Sequence, residues 1–263
     1  MLFMCDFETS TEAVAQDRTW VWAACTTDIN KALWDVPTDE LEYIYHSSFA
    51  DWLAWLLQQE SSKIWFHNLK FDGSFITDYL LRHGYTYIER KEKPKPKSFK
   101  CLIADNNWFS VTIYDNDKEF VIQDSLKKIP VAVRDMAKAY GLDVLKGELD
   151  YDLERHEGHV LTDEERLYIS HDVGIVAKVM RLFLIEQHME KLTMSSDALA
   201  NYRESLSPLA PDMNPNKIFL SLYPQLSDLE DEFVRKSYKG GWTFVNPLRK
   251  ECDIQARETL EEL

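Results

Sequence analysis

The chain has 263 residues, enough for one large domain or a domain with an appendage, and its 45% hydrophobic and 13% aromatic share excludes a disordered protein. No apolar run reaches membrane-spanning length, residues 2–4 are too short for a signal peptide, and Cys5, Cys25, Cys101 and Cys252 form no C-x-x-C pair, so neither a zinc site nor a disulfide framework is indicated. A net charge of −15 argues against broad phosphate binding, although residues 90–100 (R-K-E-K-P-K-P-K-S-F-K) are strongly basic and read equally as a solvated loop or a phosphate contact.

Residues 1–8 read as a first strand and residues 19–27 as a second. Ser48 caps a helix that runs through residue 59, where Phe49, Trp52, Leu53, Leu56 and Leu57 keep helical spacing. Residues 63–67 form a short buried strand; a helix over 74–82 follows Asp72-Gly73 and ends at Gly84. Residues 85–125 read as a run of antiparallel strands, clearest in Y-T-Y-I-E, W-F-S-V-T-I-Y and E-F-V-I-Q-D, with Asp115-Asn116-Asp117 as the last turn. A helix over 130–140 stops at Gly141. Thr162 opens the longest helix, with Glu165 in the capping-box position, and the apolar pattern lasts to about residue 189. Beyond residue 192, Pro208, Pro211, Pro215 and Pro224 punctuate short helical pieces. The expected organisation is a mixed α/β sheet covered by helices over 1–192 and a small, mainly helical appendage over 193–263.

Three groups of acids stand in apolar or strand-end settings. Asp6 and Glu8 lie two residues apart on the first strand, so period-two alternation points both to one face. Asp72 follows the buried strand in H-N-L-K-F-D-G, where ligands of α/β sheets gather. Tyr168 and Asp172 stand four apart inside an apolar helix, on one face. Each alone reads more readily as a turn, a cap or an ordinary hydrogen bond. Four converging carboxylates need a cation to coexist, and hard oxygen ligands suit Mg²⁺ or Mn²⁺.

In this order the D-x-E, N-x-x-x-D and Y-x-x-x-D elements resemble the DEDD superfamily of 3′→5′ exonucleases, in its tyrosine branch. The histidine branch places His five residues before the last aspartate, and position 167 is Leu; His171 lies roughly 100° around the helix from Asp172. The surrounding words C-D-F-E-T, F-H-N-L-K-F-D-G, D-S-L-K-K-I-P, L-K-G-E-L-D-Y and Y-I-S-H-D resemble the proofreading domain of protein-primed family B DNA polymerases, the terminal-protein-using replicases of small tailed phages. S-S-D-A-L and S-Y-K-G-G-W-T-F-V-N continue the likeness, the latter resembling the Y-x-G-G element between exonuclease and polymerase domains.

The resemblance implies a ribonuclease H-like fold and a host-cytoplasmic enzyme without membrane association. It implies that Asp6, Glu8, Asp72 and Asp172 hold two Mg²⁺ or Mn²⁺ ions roughly 4 Å apart for phosphodiester hydrolysis, releasing a deoxynucleoside monophosphate. Tyr168 would orient the attacking water and Lys146 would stabilise charge on the scissile phosphate. The single-stranded 3′ end of DNA would meet Thr9, His67, Asn68, Phe71, Ser125 and Leu126, with Tyr238, Gly240 and Gly241 in the Y-x-G-G element. By residue type alone, Phe71 reads equally as a core aromatic and Lys146 more readily as a surface lysine.

One departure is large. No D-x-x-S-L-Y-P follows Y-K-G-G, and the S-L-Y-P at residues 221–224 precedes it and has Ile218 where the aspartate belongs. The chain is therefore expected not to polymerise, and to be a fragment or one half of a split replicase that works with a separate polymerase chain and a terminal protein. Two other readings stand beside the exonuclease: a non-catalytic module that binds DNA or the terminal protein, and a ribonuclease of the same superfamily.

Overall fold

The computed structural model describes residues 1–11, 19–145, 147, 149–209 and 211–237. The chain divides into two compact units, Met1–Ala198 and Leu199–Leu263. In the first, an eight-stranded mixed sheet is built from β1 (Leu2–Thr9), β2 (Val21–Asp28), β3 (Tyr43–His46), β4 (Ser62–Phe66), β5 (Thr86–Tyr87), β6 (Ser98–Ala104), β7 (Asn107–Asp115) and β8 (Lys118–Asp124). Their spatial order is β3-β2-β1-β4-β8-β7-β6-β5. β1, β4 and β8 run parallel at the centre, β2 and β7 antiparallel on either side.

The alternation of β1 decides where the acids go. Phe3, Cys5 and Phe7 enter the core beneath α1 (Phe49–Gln58) and α2 (Leu69–Arg82), among Trp52, Phe66, Ile76 and Phe120. Met4 enters the opposite core with Trp22, Trp65, Val173 and Val176, under α3 (Val133–Ala139) and α4 (Asp163–Arg181). Asp6 and Glu8 continue the row of Met4 and so face α4. That helix starts on a complete capping box: Thr162 Oγ1 accepts from Glu165 N at 3.2 Å and Glu165 Oε2 accepts from Thr162 N at 2.9 Å. It ends in a π-helical turn, Leu182–Glu186, so the apolar pattern outlasts the α-helix.

Several elements differ from expectation, each for a local reason. α2 begins at Leu69 rather than at residue 74, because Asn68 takes a left-handed conformation (φ 73°) and its N–H is held by Asp124 Oδ1 at 3.0 Å. Asp72-Gly73 is then no turn. Gly73 lies inside the helix where a Cβ would come within 2.6 Å of the Trp108 ring. α3 starts at Val133 instead of 130, after a tight turn in which Val131 N donates to Ile129 O at 2.8 Å. The expected run of antiparallel strands contains one parallel pair, β5 with β6, and Y-T-Y-I-E yields only two strand residues. The basic residues 90–97 form an exposed loop between those strands.

Around the unit boundary, α5 (Met194–Ser205) precedes α6 (Pro215–Leu222) and α7 (Asp228–Ser237). Pro215 starts α6 at a position where a missing N–H costs nothing, with Asn214 as its cap. Within the second unit Tyr202 and Tyr223 share a hydroxyl–hydroxyl bond of 2.7 Å, and Arg203 lies 4.5 Å over the Phe219 ring. Among the described residues no helix is long and apolar enough to cross a membrane.

Candidate active site

Along the C-terminal half of β1 lies a cleft of about 480 Å³. β1 supplies Asp6, Glu8 and Thr9, α2 supplies Phe71, Ser74 and Phe75, and α4 supplies Tyr168 and Asp172. Asp6, Glu8 and Asp172 each bring one carboxylate oxygen within 4.8 Å of the others, although Asp172 is more than 160 residues from Asp6 in sequence. Two ionised carboxylates at that separation repel by roughly 3 kcal/mol at an effective dielectric of about 20.

Asp72 stands outside this group of three. It is carried by α2, whose Leu69, Ile76 and Leu80 pack on the face opposite α4. The carboxylate is buried and its charge is still felt across the strand end. Burial first, then the charges of Asp6 and Glu8, raise the Asp72 carboxyl well above its ordinary range, against backbone hydrogen bonds at Asp72 and Phe7. Its Oδ1 is buried without a hydrogen-bond partner among the described residues. Such an atom is costly to keep. A donor set made of carboxylate oxygens, one of them buried and unsatisfied, fits a hard divalent cation.

Tyr168 lies one helical turn before Asp172 and is 5% exposed. Burial is the main reason its hydroxyl titrates far above the ordinary phenol range; a hydrogen bond with Tyr151 opposes the shift, and the charges of Glu8, Asp172 and Asp6 add to it. The Tyr168 hydroxyl therefore stays protonated and can donate. Its oxygen is 2.8 Å from the hydroxyl of Tyr151, which enters the cleft from the loop before α4. Sequence reasoning gave Tyr151 no role, yet it closes the L-K-G-E-L-D-Y word, and that position was the available signal. His171 turns away, its Nε2 2.6 Å from Asp39 Oδ1.

The remaining expected contacts separate into three sets. Thr9 and Phe71 line the cleft, and Phe71 is 50% exposed with its edge toward Phe75, so it is not a core aromatic. His67, Asn68, Ser125 and Leu126 do not line it; they form a network at the ends of β4 and β8. His67 Nδ1 meets Ser125 Oγ at 2.9 Å and Nε2 meets Val131 O at 2.9 Å, while fully buried Ser125 donates to Phe66 O at 3.0 Å. Asp124 Oδ1 accepts from Leu126 N as well as from Asn68 N, each at 3.0 Å, which ties both segments to one carboxylate. Lys146, Tyr238, Gly240 and Gly241 lie outside the described residues.

Residues 55–160 and 152–255 match the family described as DNA polymerase type B, organellar and viral. The chain is 33% identical over 259 residues to DNA polymerases of Bacillus phage M2 and Bacillus phage phi29, covering 96% of its own length. It spans 41% of the length of each of these relatives. A solved structure of phi29 DNA polymerase complexed with single-stranded DNA superposes with a TM-score of 0.76 at 32% identity, over 94% of this chain and 41% of that one.

Proposed function

We propose, for a chain that belongs to the organellar and viral type B DNA polymerases, a 3′→5′ exodeoxyribonuclease activity that proofreads protein-primed DNA synthesis. The observation that carries this reading is the convergence of Asp6, Glu8, Asp172 and Tyr168 in one cleft wide enough for a small ligand, with the buried Asp72 near enough to feel the charges of Asp6 and Glu8. Residues 1–192 form the catalytic domain in this reading, and 193–263 the connecting appendage. The DNA carried by the phi29 relative supports a single-stranded 3′ end as the substrate.

Asp6, Glu8, Asp172 and Asp72 would hold two divalent cations, Mg²⁺ or Mn²⁺, which supply Lewis-acid activation of water and charge stabilisation of the departing 3′-oxygen. Everything else falls to side chains of the chain. Phe71 presents an exposed ring on which a terminal base stacks, a contact worth roughly 1–3 kcal/mol. Thr9, which also lines the cleft, offers a hydroxyl to the sugar or phosphate. Tyr168, protonated at every pH of interest, donates a hydrogen bond that orients the attacking water and does not remove its proton. Lys146 is assigned to the scissile phosphate. The Asn68 and Leu126 segments, fixed by Asp124, shape the approach to the cleft.

The test is degradation of a 3′-labelled single-stranded oligonucleotide with Mg²⁺ and with Mn²⁺. Release of labelled deoxynucleoside monophosphate that chelation abolishes is expected. Faster cleavage of a matched RNA would identify a ribonuclease, and binding of the DNA end without hydrolysis in either ion would identify a non-catalytic module.

A further inference from the structure

Tyr151 reaches the cleft from a loop with no regular secondary structure, so something must hold it. One side chain does most of this. Arg155 is 5% exposed although it sits in that loop, and its guanidinium makes three directed contacts. Nη1 donates to Asp150 O at 2.7 Å and to Leu153 O at 3.2 Å, two carbonyls that bracket Tyr151. Nε donates to Glu165 Oε1 at 2.5 Å. The guanidinium also lies 4.7 Å from the Trp22 ring centre, and the Arg155 carbonyl accepts from Trp20 Nε1 at 2.7 Å. Glu165 is itself immobile, since its other oxygen takes Thr162 N at 2.9 Å and His159 Nε2 at 2.8 Å. The loop is thus gripped by a fork whose handle is fixed to the first turn of α4, the helix that carries Tyr168 and Asp172.

We infer that Arg155 is a positioning residue of the nuclease site: by holding both carbonyls around Tyr151 it sets the Tyr151 hydroxyl against that of Tyr168, and so the direction in which Tyr168 donates. This rests on the proposed nuclease reading for its effect on rate, but not for its effect on the loop. A lysine keeps the charge and the pairing with Glu165 yet cannot reach three acceptors in a plane. A displacement of about 1 Å at a positioned group costs on the order of 10²-fold in rate.

The test is a double-mutant cycle on single-turnover cleavage of a 3′-labelled oligonucleotide at saturating DNA, using Arg155→Lys and Tyr151→Phe. Arg155→Lys is expected to lower the rate by roughly 10- to 100-fold, and to lower it little further in the Tyr151→Phe background. Losses that simply multiply would mean that Arg155 does not act through Tyr151. Hydrogen exchange provides a readout that needs no activity. In Arg155→Lys the amides of residues 149–154 are expected to exchange faster while those of β1 and α4 keep their protection. Unchanged exchange in the loop, or a rise shared with β1, would overturn the inference. A wild-type protein that cleaves nothing, with the loop-confined rise in exchange still seen in Arg155→Lys, would remove the nuclease reading and leave the clamp.

Discussion

Buried acids in this protein receive two opposite treatments, one on α4 and α5 and the other on α2. Glu165 is 5% exposed and both its oxygens are satisfied, by Arg155 on one side and by Thr162 and His159 on the other. Asp197 is treated alike, with Lys128 on one oxygen and Lys191 N on the other at 2.8 Å. Asp72 is as deeply buried, close enough to Asp6 and Glu8 to feel their charge, and keeps an unsatisfied oxygen. A chain able to neutralise an acid so completely at Glu165 has a means it does not use at Asp72. On the proposed reading, the difference separates acids that hold the fold from acids that await a charged ligand.

The largest expected effect lies at the unsatisfied group. Asp72→Ala should lower cleavage of a 3′-labelled oligonucleotide by roughly 10³-fold or more, equivalent to about 4 kcal/mol. In cation-free buffer its stability in a urea titration should not fall, because a buried carboxyl with an unsatisfied oxygen is removed. Undiminished cleavage would collapse the distinction. Glu165→Ala should do the reverse, losing about 3–5 kcal/mol of stability because Arg155 is left buried without its partner; a loss within about 0.5 kcal/mol would show that the pair is not structural. Tyr168→Phe should then lower the cleavage rate by roughly 10- to 100-fold with little change in single-strand affinity. Weaker binding at an unchanged rate would move Tyr168 from the water to the DNA.

The smallest effect is a difference in slope with pH. Burial tends to raise the Glu165 carboxyl, but Arg155, the Thr162 N–H and His159 outweigh it and hold it at about 2, below the ordinary 4.5. Its contribution to stability is present above about 4.5 and is lost as pH falls toward 2. Asp72 is displaced upward from 3.8, so without cations the folded protein keeps a proton that the unfolded chain releases. Its contribution therefore declines as pH rises above about 3.8. Urea midpoints of Glu165→Gln and Asp72→Asn, measured across pH against the parent, should show the two slopes disappearing with opposite sign.

Part of this contrast is legible in the sequence. The acids sat in strand-end and helix-interior settings where bare charge is expensive, and their order along the chain resembled one family's site. Thr162 with Glu165 announced the start of α4 through a local spacing. What escaped was contingent on distant partners. The early start of α2 depends on Asn68 and Asp124, which lie 56 positions apart. Glu165 read as a cap alone because Arg155 sits in a loop with no periodicity to announce it. The partners of the Ser125 hydroxyl, which is buried against Phe66 and His67, are likewise distant in sequence. Local signals found the elements and the acids; the pairing of each acid was a tertiary property.

Direct titration of Mn²⁺ into the cation-free protein, by calorimetry, tests the central claim most closely. The account predicts binding by the parent protein and by Glu165→Gln, weakening as pH falls because the ion must displace the proton held at Asp72. It predicts loss of that binding in Asp72→Asn. Absence of Mn²⁺ binding by the parent, or binding that Asp72→Asn leaves unchanged, would contradict it.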